Sequence, residues 1–309
     1  MAHHELGSEI RHYAWDNSLA PLLTIEPGDT VTIHSMDSGD GFIQPDTRIE
    51  DLADRVFKGH ALTGPIEVRG AEPGDTLEIE ILALQPGAFG YTTFGPGRGL
   101  LPDDFDDRFL QKWDLTLDPT PFRPGMAVPQ EPFLGVMGVA LAEAGAHSTS
   151  PPRRNGGNAD VKQLTAGSTV YLPVLVPGAL FSCGDGHAAQ GDGEVCITAI
   201  ETSMTSTLRF NVIKGWEAPE LQFRTAGPLT PRTNTGRWFG TTGHSPDLME
   251  ASRIAVRHMI DHLGRTYGLS REEAYILCSV AVDLKVSEVV DAPNWIVSAL
   301  LPESIFSAS

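Results

Sequence analysis

The sequence predicts a mainly β protein, with a β-sandwich or β-barrel body followed by a smaller C-terminal α+β unit. Glycine (32) and proline (23) are unusually frequent among the 309 residues, which indicates many turns. Three segments repeat one pattern, in which a turn leads into alternating apolar residues. Helix signals are concentrated near the C-terminus. These observations exclude a helical bundle or a coiled coil.

The repeated pattern occupies residues 26–34, 72–80 and 166–173. The first two segments open with the same four residues, Glu-Pro-Gly-Asp, and the third opens with Ala-Gly-Ser. The apolar pairs that follow are Val31 and Ile33, Leu77 and Ile79, and Val170 and Leu172. An apolar residue at every second position predicts a half-buried strand entered from a tight turn.

Residues 86–132 differ from this pattern because they are too rich in glycine for regular structure. We expect a long surface excursion there, which would act as a lid or as an oligomer contact. Its acidic cluster at 103–107 is either a calcium site or a run of solvated charges, and the second interpretation is the more common one.

The C-terminal helix signals define two helices and two strands. Ser245 is the expected N-cap of the first helix, Pro246 fits its first position, and Gly264 is expected to end it. Ser270 and Glu273 form a capping box that opens the second helix. Strands are expected at 284–290 and 295–301. We therefore divide the chain into a body at 1–227, which carries the candidate site, and an α+β unit at 228–309.

Charge and composition exclude several partners. The formal charge is −18, so nucleic acid and anionic membranes are poor partners. The sequence has neither an apolar stretch that could span a bilayer nor a signal-peptide pattern, and we expect a cytoplasmic protein. The three widely spaced cysteines are not a disulfide framework and are expected to be buried thiols.

The densest group of chemically useful residues lies at 182–194, directly after an expected strand. Asp185 and His187 are two positions apart, so in an extended chain they point to the same side. They could bind one divalent metal or form a carboxylate–imidazole acid/base pair. Gln190 and Glu194 continue the polar face. The alternative is a hairpin rich in glycine and aspartate, with solvated carboxylates.

Three other segments carry further candidates. The backbone of Gly156 and Gly157 could face an oxyanion, with Asn158 adding a side-chain donor and Asp160 a carboxylate, although an Asn-Gly hairpin turn explains the same residues. Asp37 lies in the loop after a strand that ends at His34. His60 is the one ionisable group in its apolar neighbourhood. A single histidine is more often structural than functional.

These clusters together resemble the acetamidase/formamidase family. The matching pieces are Met36-Asp37, the segments 59–66 and 70–75, Gly-Gly-Asn-Ala-Asp at 156–160, and 184–194. The resemblance implies a β-sandwich with a smaller α/β portion, and hydrolysis of short aliphatic amides to acid and ammonia. It also implies an association with zinc or calcium, and relatives that act on a γ-lactam. Asn155 stands where formamidases carry a histidine, and the chain resembles the shorter, acetamidase-like form.

The resemblance suggests a role for each candidate. A divalent metal, with zinc first and calcium or manganese as alternatives, would be held by Asp37, His60, Asp185 and His187. His34 is an alternative to His60 in this set. Glu194 would be the general base, and Asn158 with the backbone of Gly156 and Gly157 would hold the carbonyl oxygen. Asp160 would be a further ligand or would orient one, and Gln190 would bind substrate. The family also implies a homo-oligomer.

Three alternatives stay open at this point. The first is a metal-free amidase that uses Asp185 and His187 as an acid/base dyad. The second is a γ-lactamase on the same fold. The third is a non-catalytic β-sandwich that binds a small ligand or a metal, against which the compact acid/base set of 185–194 argues.

Overall fold

The computed structural model describes residues 1–54, 56–229 and 232–306. Its strands are β1 (His3–Leu6), β2 (Arg11–His12), β3 (Ala14–Trp15), β4 (Leu23–Ile25), β5 (Thr30–Ser35), β6 (Leu62–Val68), β7 (Thr76–Pro86), β8 (Phe89–Phe94), β9 (Phe109–Asp114), β10 (Thr120–Arg123), β11 (Met126–Val128), β12 (Phe133–Gly138), β13 (His147–Ser148), β14 (Gly156–Asn158), β15 (Thr169–Pro173), β16 (Phe181–His187), β17 (Glu201–Thr202), β18 (Met204–Ile213), β19 (Gln222–Arg224), β20 (Trp238–Ser245), β21 (Asp283–Glu288) and β22 (Trp295–Pro302). The helices are α1 (Leu248–Tyr267) and α2 (Arg271–Ala281), with short 3₁₀ helices at Ile49–Asp54 and Glu303–Ile305.

Two large sheets form the body, which confirms the predicted β-sandwich. The six-stranded sheet has the order β1-β5-β18-β7-β15-β19. The nine-stranded sheet runs β14-β12-β16-β17-β8-β9, and β6 joins it beside β16 with β2 and β4 on its far side. Their inner faces share one core, in which Phe181 of one sheet meets Phe210 of the other at a ring distance of 5.1 Å.

The three repeated segments become β5, β7 and β15, all in the six-stranded sheet. In the first two, the amide of the aspartate donates to the carbonyl of the glutamate three residues earlier, at 3.0 Å for both Asp29 and Asp75. The aspartate carboxylate accepts the glutamate amide in return. Gly28 and Gly74 have φ of 93° and 96°, which is the backbone of a type II turn with proline before glycine.

The segment 86–132 is the main correction to the fold. It contains β8, β9, β10 and β11, and its side chains are part of the core rather than of a surface excursion. Phe94, Leu101 and Trp113 are buried there against the helices. Glycine and proline lie mostly in the connections between these strands, above all at 95–108 between β8 and β9, so their frequency does not exclude regular structure. In the acidic cluster, Asp104 binds Arg257 and Arg271, while Asp103, Asp106 and Asp107 are exposed.

The C-terminal unit is a three-stranded sheet, β20-β22-β21, covered by α1 and α2. The capping box of Ser270 and Glu273 is confirmed. The expected ends of α1 are wrong. Asp247, not Ser245, caps the helix by accepting the amide of Glu250, and Gly268, not Gly264, ends it with φ of 70°. Gly264 is tolerated inside the helix because its cost of about 1 kcal/mol is offset by packing.

The helices share their core with the β-rich body. Buried residues of α1 and α2 form one cluster with Phe94, Trp113 and Ile200. The boundary at 227/228 stays a prediction, and residues 230 and 231 beside it lie outside the described part. All three cysteines are buried and unpaired as disulfides. Among the described residues, no helix is long and apolar enough to cross a membrane.

The repeated turn gives a test of the fold. Gly74 has φ of 96° and open space where a Cβ would lie, so Gly74→Ala should lose stability through backbone strain alone. We expect the free energy of unfolding to fall by about 1–2 kcal/mol. Gly236→Ala is the matched control, because Gly236 also has open space but no positive φ. Urea unfolding measures both, and equal losses would contradict this account of the turn.

Candidate functional site

Strand β16 carries the centre of the site in the interior of the nine-stranded sheet. It pairs with β12 on one edge, and with β6 and β17 on the other. Asp185 and His187 are 3% and 1% exposed. The predicted proximity of the two side chains is observed, since Asp185 Oδ1 lies 3.4 Å from His187 Nε2.

Three carboxylates surround the imidazole of His187. Its Nε2 atom lies 3.4 Å from Asp185 Oδ1, 3.4 Å from Glu201 Oε1 and 3.9 Å from Glu194 Oε1. Asp160 adds a fourth carboxylate, since its ligand atoms converge with those of Asp185 and His187 to within 4.8 Å. His187, Glu194 and Glu201 form a second such group. The imidazole belongs to both groups, so these five residues form one cluster.

The backbone of Gly135 leaves room for this cluster. A Cβ atom at this position of β12 would lie 2.7 Å from Asp160 Oδ1, 2.8 Å from His187 Cε1 and 2.9 Å from Asp185 Oδ2. Every other residue type would therefore displace the carboxylates. The glycine thus leaves space in which Asp160, Asp185 and His187 come together.

Gln190 fixes the orientation of His187. Its side-chain amide donates to the carbonyl oxygen of Asp160 at 2.9 Å, and its Oε1 atom lies 3.0 Å from His187 Nδ1. A carbonyl can only accept, so the amide nitrogen faces Asp160 and the amide oxygen must accept a proton from Nδ1. The Nε2 atom of His187 is thereby aimed at the carboxylates, as in metal-ligating histidines. Gln190 lies behind His187, not among the residues that line the cavity described below.

Burial and the charges within the cluster together shift the pKa values of its members. Burial is the largest influence on Asp160 and raises the pKa of its carboxyl group to about 7, with help from the nearby Asp185 and Glu201. Burial and the neighbouring carboxylates also raise the pKa of Glu194 and of Glu201. Burial opposes a charged His187, but Glu201 and Asp185 outweigh it and raise the pKa of the imidazole.

Several buried polar atoms of the cluster have no hydrogen-bond partner among the described residues: Asp160 Oδ1, Asp185 Oδ1, His187 Nε2 and Glu201 Oε2. Leaving one such atom unpaired costs about 1–3 kcal/mol, and more when the group is charged. Oxygen and nitrogen donors that converge in this way fit a divalent cation, which would satisfy them and offset the carboxylate charges.

His60 lies beside this cluster, whereas Asp37 accepts hydrogen bonds from its own loop and from Tyr91. The Nε2 atom of His60 is 3.8 Å from Asp185 Oδ2, and its Nδ1 atom is 3.0 Å from the hydroxyl of Thr149. Asp37 accepts the amides of Gly39 and Gly41 and closes that loop, and it also accepts the hydroxyl of Tyr91. The two groups of converging ligand atoms found in the described part contain neither residue.

A cavity of about 470 Å³ opens onto the cluster. Asn158, Asp160, Asp185, Glu194 and Glu201 line it on the polar side, together with His60. Leu52, Phe57, Phe94 and Ile197 supply apolar walls. The cavity thus combines buried acid/base groups with an apolar chamber, as small-molecule sites commonly do.

Strand β14 places the candidate oxyanion residues at the edge of the same sheet. Gly156 and Gly157 have φ of 93° and 80°, and the amide of Gly156 donates to Arg153 O at 3.0 Å. That amide is therefore already used in the turn. Asn158 lines the cavity, and its Oδ1 atom is buried without a hydrogen-bond partner in the described structure. Asn158 is the member of this segment best placed to bind a ligand.

Glu201 is the residue that the sequence reasoning missed. It is the only charged residue between Val195 and Met204, in an otherwise apolar and small-polar run. A lone carboxylate in such a run is a usable signal, because an ionised group is rarely buried without a partner.

Comparison with known proteins identifies the family. The acetamidase/formamidase family model matches residues 3–144 and 140–308. The chain belongs to the acetamidase/formamidase family. Relatives within and around this family include the formamidase of Methylophilus methylotrophus, which is 29% identical over 96% of this chain and 89% of its own length. The acetamidase of Bacillus halodurans is 33% identical with a TM-score of 0.69, over 97% of each chain.

A third relative is closer in structure. The γ-lactamase from Delftia acidovorans superimposes with a TM-score of 0.89 at 27% identity, over 97% of this chain and 90% of the other. This acetamidase/formamidase family member is therefore similar to known enzymes over both the β-rich body and the helical unit.

The hydrogen bonds of Gln190 give a test of how the site is held. In Gln190→Leu, the Nδ1–H group of His187 and the carbonyl of Asp160 lose their partner while still buried. The free energy of unfolding should fall by about 2 kcal/mol. Gln163→Leu on the neighbouring loop removes one half-buried bond, to Asp192, and should cost less than about 1 kcal/mol. Urea unfolding compares the two variants, and equal losses would argue against this role of Gln190.

Proposed function

We propose that this protein hydrolyses the C–N bond of small aliphatic amides, giving a carboxylate and ammonia. The observation that carries this proposal is the cluster of Asp160, Asp185, His187, Glu194 and Glu201 at one side of the cavity. Its support is membership of a family whose named members include a formamidase and an acetamidase. Amide hydrolysis needs an activated water, a stabilised oxyanion and a proton for the departing nitrogen.

We further propose that Asp160, Asp185, His187 and Glu201 hold a divalent cation. This set keeps two of the ligands expected from sequence and uses Asp160 and Glu201 in place of Asp37 and His60. The cation would lower the pKa of a bound water and polarise the amide carbonyl. Mixed carboxylate and imidazole donors suit zinc or manganese better than calcium.

Glu194 is the proposed general base. It lines the cavity, its side chain is 16% exposed, and its Oε1 atom lies 3.9 Å from His187 Nε2. Its carboxylate takes a proton from the attacking water as the new C–O bond forms. It then gives that proton to the nitrogen as the C–N bond breaks, so that ammonia leaves and the proton count balances.

Asn158 and His60 complete the arrangement. The side-chain amide of Asn158 lines the cavity and can donate to the carbonyl oxygen as negative charge develops there. The imidazole of His60 lies close to Asp185 and is held by buried Thr149, so it positions that carboxylate. The backbone of Gly156 and Gly157 shapes the segment that presents Asn158.

A γ-lactamase is the second candidate function. The TM-score of 0.89 to the Delftia acidovorans γ-lactamase favours it, and opening a lactam breaks the same kind of bond with the same residues. In that reaction, the amine stays attached to the product. Ammonia release therefore separates linear amides from lactams.

Glu194→Gln tests the general base. The variant should fold and bind metal normally but lose at least about 100-fold in kcat, because its amide cannot accept the proton. Asp192→Asn is the matched control, two residues earlier on the same loop and outside the residues that line the cavity. Ammonia release from acetamide and propionamide measures the effect. Full turnover in Glu194→Gln would remove Glu194 from the mechanism.

Metal removal tests the proposed cation. Dialysis against a chelator should abolish ammonia release, and adding zinc or manganese should restore it. The depleted protein should also unfold at a lower temperature, because the buried carboxylates lose their counter-charge. Elemental analysis of the purified protein identifies the metal. Activity that survives complete depletion would favour the metal-free amidase with Asp185 and His187 as the acid/base pair.

We also propose a cytoplasmic homo-oligomer. The support is the edge strand β21 and the loop after it, where Val286, Val289 and Val290 are exposed. An exposed apolar edge is commonly covered by another subunit.

A further inference from the structure

Two arginines on the cavity wall have no role in the amide hydrolysis proposed above. Arg98 and Arg108 line the same cavity as Asp160 and Glu194. Neither guanidinium has a hydrogen bond or ion pair with any described residue. Many other arginines of this acidic chain, such as Arg11, Arg209 and Arg257, each pair with a carboxylate. Arg98 and Arg108 are exposed, as are Arg224 and Arg265, which also lack an ion pair to any described residue, but only Arg98 and Arg108 among these four line the cavity. Two uncompensated cations in one cavity, in a protein of charge −18, indicate a site for an anion.

The loop that carries Arg98 is fixed to the segment that carries Glu194. The amide of Leu100 donates to Val195 O at 2.8 Å, and Thr93 and Thr198 bond each other through backbone and hydroxyl groups at 2.8 and 2.9 Å. The hydroxyl of Tyr275 also binds both loops, through Leu101 and Val195. These bonds fix the backbone of the loop around Arg98 to the segment of the acid/base cluster.

Arg108 is placed beside the same loop. It immediately precedes β9, which pairs with β8, and its side chain lies against Gly95, where a Cβ would be 3.2 Å from Arg108 Cγ. Both arginines therefore lie at the connection between β8 and β9. This connection belongs to the segment 86–132.

The wall of the cavity also includes a strained apolar residue. Ile197 has φ of 77°, a conformation that is strained for a β-branched residue, and it is 45% exposed and lines the cavity. Leu52 and Phe57 line the same chamber. A volume of about 470 Å³ is in the range of much larger ligands than acetamide.

We propose that the substrate is a monoamide of a dicarboxylic acid. Arg98 and Arg108 bind its free carboxylate, its methylene chain lies along Ile197, and its amide lies at Glu194 and Asn158. A singly charged carboxylate suits this cavity better than a phosphate, because the four nearby acidic side chains repel the doubly charged ion more strongly. This inference rests on the proposed amide hydrolysis and names the substrate class of that site.

The experiment measures kcat/KM for ammonia release from the metal-loaded protein. The substrates are the ω-carboxyl amides from succinamate to adipamate, each compared with its own methyl ester, and acetamide is measured in parallel. Ammonia reports only the amide bond. At the best chain length, the acid should exceed its ester by about 10- to 100-fold.

Variants of the two arginines test whether they cause the preference for the acid over its ester. Arg98→Gln and Arg108→Gln should each lower the acid-to-ester ratio, and the double variant should bring it close to one. Arg224→Gln is the matched control, since Arg224 is exposed on edge strand β19 without an ion pair to any described residue, and it should keep the ratio. A preference that survives in the double variant would overturn the proposal.

The outcomes separate the two proposals. Hydrolysis of acetamide with no acid-to-ester preference at any chain length overturns the dicarboxylic substrate and leaves amide hydrolysis intact. If no amide is hydrolysed, the proposed function fails, and calorimetric titration with glutarate decides the anion site. Binding by the wild-type protein that is lost in the double variant supports the site, and absence of binding overturns it.

Discussion

The structure depends on the burial of four carboxyl groups around one imidazole. Such a cluster is unfavourable unless its charges are balanced and its polar atoms are bound. The surrounding fold reflects this constraint at close range. Gly135 leaves the space that the carboxylates occupy, and Gln190 fixes the ring of His187. Asp185, His187 and Glu201 lie on β16 and β17 in the interior of the nine-stranded sheet, so this part of the site is held by the sandwich itself.

The local rules of the sequence predicted a large part of the fold. The turn at Glu-Pro-Gly-Asp was readable because its proline, its positive-φ glycine and its aspartate each have one steric or hydrogen-bonding role. The capping box at Ser270 was readable for the same reason. The proximity of Asp185 and His187 followed from the alternation of side chains along a strand.

Features that depend on tertiary contacts were not readable in this way. Residues 86–132 form strands because they pack against helices some 150 positions later in the chain, which composition does not reveal. Glu201 joins the site through sheet pairing between β16 and β17. Asp37 as a metal ligand stays a prediction, and its carboxylate accepts hydrogen bonds from loop amides and from Tyr91. Side-chain alternation along one strand therefore predicted Asp185 and His187, whereas Glu201 depends on the pairing of two strands.

Tyr275 has a consequence that reaches beyond its own helix. From α2, its hydroxyl binds the backbone of both Leu101 and Val195, while the residues that line the cavity do not include it. The spacing between the two walls of the chamber is therefore set partly from the helical layer. Substitutions in α2 could change which molecules fit the cavity without changing any residue that lines it. Differences in substrate preference among relatives can therefore arise from residues outside the cavity.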